Sequence, residues 1–188
     1  WGAEGETDNA EFGYMGEKLN LVLTGNFGRP DNTTINSEKG FAVNAAYNLT
    51  TAHKLGWSAF SGNSLDSTRY VTGPFSILSF WRKFVILTQA DFQWKSYKDA
   101  TLGPEQQGFV SFNRFQYELV KGLHPYLLHQ ISYLNKNIMT TRYDSYGGGG
   151  MWYPRPHFEF WGEWDKERNM LAGDSYTDTA WLVMHYYL

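Results

Sequence analysis

The chain has 188 residues, enough for one domain, with 16 Lys and Arg against 19 Asp and Glu, a net charge of −3 and no cysteine. The mild acidity argues against a nucleic-acid surface, and the lack of thiols excludes a disulfide framework, a thiolate metal site and covalent haem attachment. Aromatic residues make up 18% of the chain, yet the mean hydropathy is −0.48 and the longest unbroken apolar runs (84–87, 181–184) reach only about four residues, far below the ~20 that a spanning helix needs.

In chain order, residues 1–12 are polar and Gly-rich and read as a tail or loop. Residues 16–27 then alternate, with Leu19, Leu21, Leu23 and Phe27 on one face and Lys18, Asn20 and Thr24 on the other. Such period-two patterning is the mark of a half-buried strand. A polar loop over 29–39 leads to a second apolar row, Phe41, Val43, Ala45, Tyr47 and Leu49. After a tight connection at 50–53, Leu55, Trp57 and Ala59 continue the pattern, and 62–72 reads as another long loop. A shorter strand over 74–80 turns at 81–83. Phe84, Ile86, Thr88, Ala90, Phe92 and Trp94 then oppose Gln89, Asp91, Gln93 and Lys95. Beyond a loop at 96–107, Phe109, Phe115, Tyr117 and Leu119 oppose Arg114 and Glu118. A turn at 121–125 precedes a strand over 126–134 whose two phases are both mixed. After a loop at 135–139, Arg142, Asp144 and Tyr146 open a strand that runs into four glycines at 147–150 and turns at 154–156.

The last two segments alternate most sharply. Phe158, Phe160 and Trp164 oppose His157, Glu159, Glu163 and Asp165; after a loop at 166–174, Leu182, Met184, Tyr186 and Leu188 oppose Trp181, Val183 and His185. Apolar residues at every second position back from a bulky terminal hydrophobe resemble the C-terminal strand of bacterial outer-membrane β-barrel proteins of the porin-like kind. Leu188 stands where that family usually ends in Phe. The resemblance implies a bacterial outer-membrane location and the lipid bilayer as the chief partner.

The expected fold is all-β: one antiparallel up-and-down transmembrane β-barrel over 1–188, with about ten strands joined by alternating short turns and long loops. An even count would put both chain ends on the short-turn side. Aromatic girdles are expected near the turns (Trp81, Trp152, Tyr153, Tyr186, Tyr187) and near the loops (Trp57, Trp94, Trp164). The chain starts at Trp1 rather than Met, so it reads as a mature chain without its targeting peptide or as the back part of a longer one. The rival fold is a soluble β-sandwich or ligand-binding barrel with the aromatics in its core.

The charges expected to line the lumen are Lys18, Asp91, Lys95, Arg114, Glu118, Arg142, Asp144, Glu159, Glu163 and Asp165. They would either pair into a plug or line a channel, and the acids on 157–165 would favour cations. Glu163 and Asp165 stand about 6.5–7 Å apart along one strand face, within the inverting-glycosidase range, but inward acids at that spacing are ordinary in barrels. The five histidines fall in no catalytic motif, and no phosphate loop or calcium loop is present. The expectation is therefore a non-catalytic, cofactor-free passive channel, with a plugged structural or docking barrel of an envelope complex as the alternative and a barrel enzyme, which would need an acid/His or Ser/His pair clustered at the loop end, as a further one. Small solutes or envelope proteins are the expected further partners, and nucleic acid is not.

Overall fold

The computed structural model describes residues 8–28, 38–138, 141–170 and 173–186. Parts of the expected tail (1–7) and loops (29–37, 139–140, 171–172), with Tyr187 and Leu188, lie outside them. The described residues form one antiparallel sheet in which every strand pairs with its neighbours in sequence. The strands are β1 (Asn9–Met15), β2 (Leu19–Asn26), β3 (Lys39–Asn48), β4 (His53–Asn63), β5 (Ser67–Phe80), β6 (Phe84–Tyr97), β7 (Gln106–Tyr117), β8 (Leu123–Tyr133), β9 (Arg142–Arg155), β10 (Phe158–Asn169) and β11 (Tyr176–Tyr186). One 3₁₀ turn, Ala100–Leu102, lies between β6 and β7.

The count is eleven rather than ten. The strand not expected from sequence is β1, whose apolar row has only three members, Ala10, Phe12 and Tyr14, at the end of a polar, Gly-rich stretch. It pairs residue for residue with β2, from Asn9 opposite Asn26 to Met15 opposite Asn20. An odd count reverses the expected direction of entry, so β1 starts at the long-loop end while β11 finishes at the short-turn end. The two edge strands therefore run parallel to each other. The sheet is not closed, since no ladder joins β1 to β11 among the described residues.

The short turns are built by backbone chemistry. Trp81 and Arg82 both have positive φ (51° and 59°), and the Lys83 N–H donates to the Phe80 carbonyl at 3.1 Å. The two positive-φ residues make a turn whose twist matches a hairpin, within the three-residue link 81–83. Gly122 (φ 81°) serves β7–β8, and His157 (φ 69°) serves β9–β10. The expected loop at 62–72 proves to be the tight link Ser64–Ser67, where the Ser64 N–H donates to the Ser67 carbonyl at 2.8 Å. Strands β4 and β5 thus extend into residues whose Ser, Asn and Thr content imitates a loop. The β5–β6 ladder skips Gly73 and Pro74, because proline has no N–H to give.

Candidate functional site: the inner wall

Register fixes which residues share a face, because side chains alternate along each strand. On one face, Phe158, Phe160, Gly162 and Trp164 of β10 stand opposite Tyr186, Met184, Leu182 and Ala180 of β11. The same row continues through Trp152 of β9 and Leu127 of β8 to Phe115, Ile86 and Leu78. It is also the exposed face. Leu182 is 76% exposed, and Met184, Tyr186, Phe115 and Leu127 are exposed as well. A belt of this kind around an entire sheet is not what water-soluble monomers present.

The opposite face is polar and covered. Glu159, Asp165 and Ser145 are buried, as are Tyr126 and Leu128. The sheet curls toward this side, because its side chains bond across to strands two places away. The Ser58 hydroxyl reaches Asp91 at 3.4 Å across β5, Arg114 reaches the Met151 sulfur at 3.1 Å across β8, and the Tyr126 hydroxyl donates to Glu163 across β9. Glycines make the curl possible. A Cβ on Gly147 would overlap the Asp165 carboxylate and the Trp164 carbonyl, and one on Gly149 would overlap the Tyr126 ring and the Gly162 carbonyl. Gly147 and Gly149 of the run 147–150 therefore clear space for inward side chains of β8 and β10. From sequence the run reads as a sharp bend, or as room for a bulky neighbour such as Trp161. The groups packed over it are Tyr126 and Asp165, and the Trp161 indole N–H donates to the Tyr126 hydroxyl.

The inner wall is segregated by charge. β10 carries Glu159, Glu163, Asp165 and Glu167 in one inward row, while Lys54, Arg69, Lys95 and Arg114 come from β4–β7. Asp91 stands among the cations and accepts from the Gln89 amide at 2.6 Å. At the short-turn end Glu159 accepts from the Tyr153 hydroxyl at 3.0 Å and meets His185 Nδ1 at 3.2 Å. Arg114 lies over the Tyr126 ring, 3.9 Å from its centroid, a favourable placement for a cation. At the loop end Arg69 pairs with Glu38. Each of these bonds joins strands at most two apart, so they line the wall without crossing it.

Of the ten expected lumen residues, Asp91, Lys95, Arg114, Glu159, Glu163 and Asp165 take the inner face. Lys18 lies in the β1–β2 turn, and Glu118 lies in the β7–β8 turn, where its carboxylate accepts from the Gly122 N–H at 3.3 Å. Arg142 and Asp144 are on the outer face, in the row of Tyr146 and Trp152, with Asp144 directly opposite Arg168. They depart from the expected inward phase, for which the glycines that follow give no apolar marker. The charged residues missed are Glu11, Lys54, Arg69 and Glu167, and the alternation of the first three with Phe12, Leu55 and Tyr70 was the available signal. Tyr153 also turns inward and leaves the expected girdle, while Trp57 and Trp164 sit near mid-strand rather than by the loops. Among the described residues no group of three or more His, Cys, Asp or Glu is arranged to hold a metal.

No protein-family model matches the chain, and no curated protein matches it in sequence. Among solved structures it is similar to a NanC porin in a rhombohedral crystal form, with a TM-score of 0.62, 11% identity, 96% of this chain covered and 92% of that one. At that identity the likeness is one of fold.

Proposed function

We propose that the chain is a porin-like, non-catalytic channel of the bacterial outer membrane. The observation that carries this reading is the inverted sheet: a continuous apolar belt faces out, and carboxylates, cations and hydroxyls face a concave inner wall. That is the arrangement of a membrane barrel with lipid outside and water inside. The fold shared with a porin supports it. A bilayer also demands closure, because an unpaired strand edge in hydrocarbon costs several kcal/mol per group.

A plugged structural barrel would need side chains that meet across the lumen. The inner bonds described above run along the wall instead, which favours the open reading. The inner rows hold Glu11, Asp91, Glu159, Glu163, Asp165 and Glu167 against Lys54, Arg69, Lys95 and Arg114, so the channel prefers cations. Reconstitution in planar bilayers tests this. The expected record is stepwise conductance with a cation-selective reversal potential, and a smaller selectivity in Glu163→Gln. A closed trace at every voltage would overturn the channel in favour of the structural barrel.

A further inference from the structure

Three charges of the outer face, Arg142, Asp144 and Arg168, gather at one place. Asp144 of β9 is 7% exposed although it lies on the lipid-facing side. Its carboxylate meets Arg142 Nε at 2.9 Å and Arg168 Nη2 at 3.0 Å, and it accepts from the Tyr176 hydroxyl at 2.8 Å. The guanidiniums are braced by aromatic rings, Arg142 over Tyr133 at 5.4 Å and Arg168 over Tyr176 at 5.0 Å. One buried carboxylate thus orients two partly exposed guanidiniums, which together carry more N–H donors than it can satisfy. Arg168 also touches the loop carboxylate of Asp174 at 3.4 Å, which is largely exposed.

Depth gives the cluster its meaning. Phe158 and Arg168 lie on the same face of β10, ten residues apart. At ~3.3 Å per residue and a tilt of about 40° that separation is roughly 25 Å along the membrane normal, the height of the apolar band of a membrane barrel. With Phe158 at one interface, Arg168 and its partner Asp144 reach the other, at the head groups on the loop side.

We propose that Arg142 and Arg168, set by Asp144, bind the phosphate of an anionic lipid head group in the loop-side leaflet. Bidentate guanidinium–phosphate contacts are strong and geometrically specific. This rests on the membrane reading of the outer face. The test is thermal unfolding of the refolded protein in nanodiscs of phosphatidylglycerol or phosphatidylcholine, with inorganic phosphate added to the latter in a third arm. The expected result is a higher unfolding temperature in phosphatidylglycerol only, lost in the triple variant R142Q/D144N/R168Q. That variant removes the carboxylate with its cations and leaves no buried charge unpaired. Arg142→Lys with Arg168→Lys should keep part of the preference, because charge persists without the planar fork. Equal stability in both lipids, an unchanged preference in the triple variant, or full stabilisation by inorganic phosphate would each overturn the lipid site. Failure to insert into any bilayer would instead strike the membrane reading itself.

Discussion

Gly147 shows how a single residue shapes the inner wall. Its missing side chain is the space that the Asp165 carboxylate occupies, against the β10 backbone. Gly147→Val would place carbon on both, and overpacking of this kind costs about 1–3 kcal/mol. Urea unfolding from lipid vesicles should show that loss, and an unchanged midpoint would mean the wall has slack there. A second residue-scale prediction concerns the Ser64–Ser67 link, outside the spanning strands. The Ser64 hydroxyl, donating at 2.5 Å, holds the Asp66 carboxyl below its ordinary range, and the Ser67 hydroxyl adds to this. A carboxylate with a depressed folded value stabilises the link above the unfolded value, and that contribution is lost as pH falls through the lowered one. The protection of the Ser67 amide, its exchange relative to the intrinsic rate at each pH, should therefore persist until unusually acid pH, and Asp66→Asn should remove the acid step. An identical profile in the variant would contradict the assignment.

At the scale of elements, alternation was the legible signal. The rows of β10 and β11 were readable because Phe, Trp, Leu and Met mark one phase without interruption, and the outer row is the one expected to meet lipid. Legibility failed where the markers ran out. β1 has only Ala10, Phe12 and Tyr14 on its apolar phase, next to a polar, Gly-rich stretch, and the β4–β5 link hides in another polar stretch. Arg142 and Asp144 precede four glycines, so no unbroken apolar row marks their side. Leu182 offers the sharpest element-scale test. It is highly exposed, so an arginine there would be nearly neutral in a soluble sheet. Near the bilayer midplane it should cost about 2–4 kcal/mol. Val183→Arg, on the inner face, should cost less. Refolding equilibria of both variants into vesicles would measure the difference, and equal, negligible losses would contradict a lipid-facing β11.

At the scale of the whole sheet, the eleven strands among the described residues leave parallel edges, so β1 and β11 cannot join by the antiparallel ladder that links all other neighbours. In a bilayer their edges must nevertheless be covered. Every other feature follows from which face meets lipid, and the cysteine-free sequence lets that be measured one position at a time. The most direct measurement is a nitroxide scan of single cysteines along residues 159–168 of β10 in vesicles, reading collisions with oxygen and with a water-soluble nickel complex. The account predicts a strict period of two, with oxygen favoured at 160, 162 and 164 and nickel favoured at 159, 161, 163 and 165. Nickel access at the even positions, with the odd ones shielded from both reagents or sharing their pattern, would contradict it.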